Sequence, residues 1–227
     1  MPKTVHVIGN GDSAMFYNEA PRKGLKLACN LVPFPVEDLY ASCIVDFKMM
    51  RHIHKGDVDV PGEWILGARP KAYMEKNPQF HMQRSHQIKM FYTRLPSYAA
   101  NYTDLNCGHM AVYFAAQHLK AERIHMYGFD SIFDFNLRSF TDTFINSDRG
   151  GMNNNRLTNN WRPLWQNIFK DFSDGRCEFI IHHMHDSLKF KIGDNVTIEK
   201  YGRREEIVEK EGKKADQIWI PPASGIM

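Results

Sequence analysis

Residues 4–13 read TVHVIGNGDS, a short apolar run that leads directly into glycine, asparagine, aspartate and serine. Apolar runs of this length, bounded by turn-forming residues, are typical of buried β-strands. A second run, LKLAC at 25–29, is followed by Asn30, and a third, ASCIVD at 41–46, ends on an aspartate. Polar residues that follow successive buried strands predict a ligand-facing edge, because ligands bind beyond the carboxyl ends of the strands in a parallel sheet.

The rest of the chain continues this alternation of strands and helices. Strands are predicted at 64–68, 88–93, 122–130 and 178–183, an edge strand at 195–201, and helices at 47–54, 108–120 and 161–172. Strands that alternate with helices predict an α/β, Rossmann-like fold, a mostly parallel open sheet with helices on both faces. Residues 131–160, rich in Asn, Asp, Ser and aromatic residues, predict an irregular insertion.

The composition is typical of a globular chain with one sizeable domain. Hydrophobic residues make up 43% of the 227 residues, and we assign 1–202 to a single domain and 203–227 to a C-terminal extension. The net charge of +3 is spread over interleaved acidic and basic residues. A balance of this kind does not favour nucleic acid as a partner.

Targeting and redox signals are weak in this sequence. Its apolar runs are shorter than the roughly 18 residues of a membrane span, and the first residues lead directly into a strand pattern. We therefore expect neither a membrane span nor a signal peptide. The 4 cysteines are far apart and form no CxxC pair, which predicts reduced thiols in a cytoplasmic protein.

The residue types at the predicted strand ends suit a nucleotide or diphosphate. Glycines let a ligand approach the main chain, asparagine amides both donate and accept hydrogen bonds, and a serine or glycine at a helix start leaves N–H groups near a phosphate. The predicted nucleotide-binding residues are Gly9, Asn10, Gly11, Asp12, Ser13, Asn30, Asn106, Cys107, Gly108, Gly128, Phe129 and Asp130. A second interpretation stays open, in which these turns serve chain geometry alone, because the GNG lacks a third glycine and a P-loop lysine.

The stretches VIGNGDSA, LKLACNLV, ASCIVDF and NCGHMAVYFAAQHLKAERIHMYGFD resemble the core of bacterial lipooligosaccharide sialyltransferases. They also resemble the related proteins with an archaeal-type 6-hydroxymethylpterin diphosphokinase fold. The resemblance covers 4–50 and 104–131 and implies a Rossmann-like fold that holds a nucleotide. It implies that Asn10, Gly11 and Ser13 lie against the nucleotide and Asn30 touches ribose or phosphate. By the same resemblance, 106–108 line the base side and 128–130 close the crevice.

The sequence departs from that family at two places. Asp12 stands where the family has a proline, which puts a negative charge near the expected phosphates. Residues 131–160 contain neither the catalytic histidine nor the phosphate-binding tyrosines that the sialyltransferases carry there. We therefore expect a nucleotide-binding transferase-like protein, glycosyltransferase-like with a CMP-sugar by resemblance. A non-catalytic Rossmann-like binding or assembly protein is the alternative.

Histidines and arginines outside the core motifs supply further candidates. In HHMHD, His183 and His185 could act as the general base or bind zinc or iron, or they could simply end a strand. Arg149 and Arg156 lie in a glycine- and asparagine-rich loop that suits either a lid over a diphosphate or an ordinary loop.

Two further interpretations concern a metal and a partner. A weaker alternative function is Mg²⁺-dependent diphosphate transfer, for which Asp12, Asp46 and Asp130 are the possible ligands. The C-terminal extension carries Ile218, Trp219 and Ile220, which could dock on a second copy of the chain and form a homo-oligomer.

Overall fold

Eight parallel strands form one sheet in the computed structural model, which describes residues 3–19, 22–99, 105–132, 140–143, 161–184 and 192–200. The strands are Thr4–Ile8 (β1), Leu25–Cys29 (β2), Leu39–Ile44 (β3), Trp64–Leu66 (β4), Ile88–Phe91 (β5), Arg123–Tyr127 (β6), Glu178–His183 (β7) and Val196–Lys200 (β8). Every pair of neighbouring strands runs parallel. The predicted Rossmann-like open sheet is therefore confirmed.

The order of the strands is β5-β4-β3-β2-β1-β6-β7-β8, so β1 lies at the centre of the sheet. The chain moves outward from β1 to β5 and then returns to pair β6 with the free side of β1. Val5 consequently has Leu25 as its partner on one side and Ile124 on the other. The loops that follow β1 and β6 lie side by side at this reversal, the topological switch point of the sheet.

Five α-helices and a long 3₁₀ helix cover the sheet in the described residues. The α-helices are Phe47–Lys55 (α1), Ala68–Lys76 (α2), Pro78–Arg84 (α3), Cys107–Tyr113 (α4) and Arg162–Asp171 (α5), and the 3₁₀ helix spans Asp12–Glu19. The helix predicted at 108–120 begins one residue earlier as α4 and continues as a π-helix over Phe114–His118. The edge strand predicted at 195–201 is confirmed as β8.

Side chains that alternate along the strands fill separate cores on the two faces. Val5 and Val7 share one buried cluster with residues of α4 and α5. Ile8 points to the opposite face and packs with the 3₁₀ helix. On that second face, Ile44 and Leu66 pack with α1, α2 and α3. Helices therefore cover both faces of the sheet, as predicted.

Some predicted features lie outside the described residues. These are the lid candidates Arg149 and Arg156, the histidine His185 and the extension 203–227 with Ile218, Trp219 and Ile220. The insertion predicted at 131–160 is described only near its start and over 140–143, where the chain forms short 3₁₀ turns. In the described residues, the structure contains no helix long and apolar enough to cross a membrane.

Candidate functional site

The loops after β1 and β6 are joined by main-chain hydrogen bonds. The N–H of Gly9 donates to the carbonyl of Tyr127 at 2.7 Å, and the N–H of Gly11 donates to the carbonyl of Gly128 at 3.0 Å. A Cβ atom on Gly9 would lie 2.6 Å from the carbonyl oxygen of Gly128. Gly9 is therefore needed for the close approach of two loops of the protein, and its lack of a side chain does not by itself require a ligand.

A buried carboxylate ties these two loops together. Asp130 is 1% exposed and accepts a hydrogen bond from the N–H of Ser13 at 3.0 Å. The hydroxyl of Ser13 donates to the other carboxylate oxygen of Asp130. The sequence predicted that the N–H of Ser13 would face an anion. In the structure that anion is the Asp130 carboxylate of the same chain, which needs donors because it is buried.

Asn10 spans the gap between β1 and β2. Its Nδ2 donates to the carbonyl of Cys29 at 2.8 Å, while its Oδ1 is buried and has no hydrogen-bond partner. The main-chain carbonyl of Asn10 accepts a hydrogen bond from the N–H of Phe140 at 2.7 Å. The described part of the insertion therefore returns to the loop that follows β1. Asp12, next to these residues, is exposed.

Asn30 and Cys107 form the adjoining part of the site. Asn30 has a left-handed backbone, with φ at 56°, which asparagine tolerates better than most residues. The Cys107 thiol donates to Oδ1 of Asn30 across 2.9 Å, and burial raises the pKa of this thiol to about 12. Cys107 is thus a thiol at neutral pH, and it holds the Asn30 amide in one orientation. All four cysteines are buried free thiols, as predicted.

The start of α4 is capped by the chain itself. Asn106 accepts a hydrogen bond from the N–H of His109 at 2.9 Å, and the His109 ring accepts one from the N–H of Asn106 at 3.2 Å. A Cβ on Gly108 would lie 2.8 Å from the Phe129 ring. The predicted nucleotide-binding residues are therefore brought together at one edge of the sheet, with 106–108 between Asn30 and the loop after β6.

The three aspartates proposed for Mg²⁺ are not brought together. Asp46 caps α1 by accepting from the N–H of Lys48 at 2.9 Å, and it also pairs with Arg69 at 3.2 Å. It follows β3, which lies two strands away from β1, a separation of about 10 Å. Asp12, Asp46 and Asp130 are all described, and the described residues contain no group of three or more His, Cys, Asp or Glu residues that could hold a metal ion.

Of the two histidines predicted as a general base, the structure describes His183. It is the last residue of β7, and only 4% of it is exposed. A side chain this buried does not meet solvent at the crevice in this conformation. Its neighbour His182 points to the other face of β7, because successive side chains along a strand alternate between the two faces.

Three histidines on neighbouring strands form a cluster that the sequence analysis did not single out. The rings of His6 and His125 stack with their centroids 5.0 Å apart, and Nδ1 of His125 lies 2.9 Å from Nε2 of His182. Nδ1 of His182 lies 3.2 Å from a carboxylate oxygen of Glu199. Burial lowers the pKa of each of the three imidazoles. Two of these histidines could have been noticed in the sequence, because each stands at the middle of an apolar strand, His6 in TVHVI and His125 in RIHMY. The two residues are register partners on the paired strands β1 and β6.

The chain was compared with protein-family models, curated proteins and solved structures. None of the three comparisons finds a match.

Proposed function

We propose that the crevice between the loops after β1 and β6 binds a nucleotide or nucleotide-sugar. By the resemblance of its motifs, the ligand is a CMP-sugar and the protein is glycosyltransferase-like. The observation that carries this proposal is the position of the polar loops, which meet at the switch point where doubly wound sheets bind ligands. The Asn30 side chain, held by Cys107, and the unpartnered Oδ1 of Asn10 supply hydrogen-bonding groups at this edge.

The internal contacts of the site set which groups can meet the ligand. The N–H and hydroxyl of Ser13 are already bonded to Asp130, so they support the loop and do not contact a phosphate. Nδ2 of Asn30 makes no hydrogen bond within the described part of the chain. Gly9, Gly11 and Ser13 are buried, whereas Asn10 and Asn30 are half-buried. The side chains of Asn10 and Asn30 are therefore the principal contacts we assign to the nucleotide.

The test is calorimetric titration of the full chain with CMP, CDP, UDP, GDP, ATP and CMP-sialic acid, with and without Mg²⁺. We expect a cytidine nucleotide to bind, and we expect the pair of changes Asn10→Ala and Asn30→Gly to weaken binding by about tenfold or more. Glycine is chosen at position 30 because it tolerates the left-handed backbone there.

Asn195→Ala is the matched control. Asn195 also donates Nδ2 to main-chain carbonyls, of Phe169 and Cys177, and its Oδ1 is also unpartnered, but it precedes β8 at the opposite edge of the sheet. The control should bind as the unaltered chain does. Equal nucleotide affinity in the double variant and the unaltered chain would rule out the crevice as the nucleotide-binding site.

The alternatives predict different results in the same titration. Nucleotide binding with no sugar transferred or hydrolysed over hours favours the non-catalytic binding protein. Binding that requires Mg²⁺ favours diphosphate transfer, although the three aspartates proposed as ligands lie apart in this structure.

A further inference from the structure

The start of α5 packs against the walls of the crevice. Nε2 of the His109 ring, on α4, lies 3.1 Å from the carbonyl oxygen of Trp161, the residue that precedes α5. The rings of Trp165 and Phe129 lie edge to face with their centroids 5.4 Å apart. Phe129 is also the residue whose ring a Cβ on Gly108 would meet. The first turn of α5 therefore contacts both the start of α4 and the loop after β6.

Arg162, the first residue of α5, extends its side chain to the loop after β6. It is half-buried, and its Nε donates to the carbonyl oxygen of Ile132 at 3.1 Å. Ile132 ends the short 3₁₀ turn that begins at Asp130, and Asp130 accepts the hydrogen bonds of Ser13 from the loop after β1. The bond through Nε thus holds the guanidinium at the turn that joins the two loops of the crevice.

Positive charge is scarce around the crevice. The described segments that border it are 9–19, 30–36, 105–113, 128–132, 140–143 and 161–165. Within these described segments, Arg162 is the only lysine or arginine, whereas Asp12 and Asp130 are acidic. His109 adds no charge at neutral pH, because burial lowers the pKa of its imidazole to about 3. A phosphate bound among these segments would have one arginine to balance its charge.

The chemistry of a phosphate makes this arginine important. A phosphate loses hydration when it binds, and the loss is unfavourable unless charged or polar donors replace the water. The N–H and hydroxyl of Ser13 already donate to Asp130, so they are not such donors. A guanidinium carries several N–H donors in one plane and can bond two phosphate oxygens at once.

We propose that Arg162 binds the phosphate of the nucleotide and makes the crevice selective for phosphorylated over unphosphorylated nucleosides. This inference rests on the proposed function, because it concerns the ligand of the same crevice. Nε keeps the guanidinium at Ile132, and the terminal N–H₂ groups donate to the phosphate oxygens. Asn10 and Asn30 contact the remainder of the nucleotide.

The test is calorimetric titration of the full chain with cytidine, CMP and CDP, the weaker ligands being measured by competition. The unaltered chain should bind CMP and CDP about tenfold tighter than cytidine or better. Arg162→Gln should weaken binding of CMP and CDP by about tenfold and leave cytidine binding unchanged, because cytidine has no phosphate. Arg162→Lys should lose less affinity than Arg162→Gln, since lysine keeps the charge but not the planar donors.

Arg176→Gln is the matched control. Arg176 lies beyond the other end of α5, where it is exposed, donates to the main-chain carbonyl of Asp171 and pairs with Asp174. Its replacement removes the same charge and also a bond to a carbonyl, so all three ligands should bind as they do to the unaltered chain. Equal weakening of CMP binding in Arg176→Gln and Arg162→Gln would show non-specific attraction and would overturn the proposal.

Two further outcomes separate this proposal from the proposed function. If Arg162→Gln weakened cytidine and CMP binding alike, Arg162 would only support the loop, and the crevice would remain the binding site. The same conclusion would follow if the unaltered chain bound cytidine as tightly as CMP. If the unaltered chain bound none of the three ligands, the crevice and the role of Arg162 would both be overturned.

Discussion

At the scale of single residues, the hydrogen-bonded pair Ser13 and Asp130 holds together the two loops that form the crevice. Both residues are almost fully buried, and two hydrogen bonds join them across the loops that follow β1 and β6. A buried carboxylate with two donors is stable only while both donors remain, because an unpaired charge in the interior is strongly unfavourable. We therefore expect this pair to matter for folding in the absence of any ligand.

Asp130→Asn should lower the free energy of unfolding by about 1–3 kcal/mol. The change keeps the size of the side chain but replaces one acceptor oxygen with an N–H₂ group that faces the donors of Ser13. Urea denaturation measures the effect, with Asp12→Asn as the control because Asp12 is exposed next to Ser13. An unfolding midpoint equal to that of the unaltered chain would contradict a supporting role.

At the scale of elements, the loops after β1 and β6 meet through main chain. Gly128 has φ at +73°, and a Cβ atom there would lie 2.9 Å from Cβ of Ala14 and from the carbonyl carbon of Gly9. A side chain at this position would meet both backbone strain and a steric clash. Both the left-handed backbone and the close approach therefore require glycine here.

Gly128→Ala should destabilise the protein more than Gly56→Ala, by about 1–3 kcal/mol. Gly56 ends α1 with φ at +80°, so alanine there suffers the same backbone strain, but nothing lies within 4 Å of the added Cβ. The difference between the two unfolding midpoints isolates the steric clash between the loops. Equal midpoints would show that the loops can separate without loss of stability.

The helices α2 and α3 show where sequence patterns fail at this scale. The sequence patterns predicted no helix between 64–68 and 88–93, but the stretches 67–71 and 81–87 contribute to Ala68–Lys76 and Pro78–Arg84. Their prolines were misleading, because Pro70 and Pro78 lie in the first turns of the helices, where no N–H is required. Few buried residues, chiefly Met74 and Phe80, mark their inner faces, so helical periodicity was weak.

β2 and β7 were predictable to the residue, because each contains a short apolar run, LAC at 27–29 and FII at 179–181, next to polar residues. The partners of the site residues were not predictable in the same way. That Ser13 donates to Asp130, or that Cys107 donates to Asn30, depends on strand order and on contacts across 117 and 77 residues of sequence. Local sequence patterns contain no information on contacts between residues so far apart in the chain.

At the scale of the whole molecule, buried imidazoles govern the response to acid. His109 is fully buried, its Nδ1 accepts from the N–H of Asn106, and its Nε2 lies 3.1 Å from the carbonyl of Trp161. Burial lowers its pKa to about 3, with the Trp161 carbonyl opposing the shift. The pKa values of His125 and His182 are lowered in the same direction, again mainly by burial.

The free energy of unfolding should therefore fall as the pH drops below about 6.5. In that range these histidines bind protons in the unfolded chain, whereas in the native chain they stay neutral until a lower pH. Above that pH these histidines are neutral in both states and contribute no pH dependence. His109→Gln keeps an acceptor for the N–H of Asn106 and should reduce the slope between pH 6 and 4 by about 1.4 kcal/mol per pH unit. Urea denaturation at several pH values measures this slope, and an unchanged slope would contradict the assignment.

The central position of β1 has a consequence for assembly. The crevice is made of two pieces of chain, 9–13 and 128–130, that become neighbours only when β6 docks against β1. A chain in which β1 to β5 have paired but β6 has not would contain most of the sheet and none of the completed crevice. A ligand that contacts both loops will therefore bind only molecules in which β6 has paired with β1. The amount of ligand bound in a refolding mixture would then measure the fraction of molecules that have completed the sheet at this point.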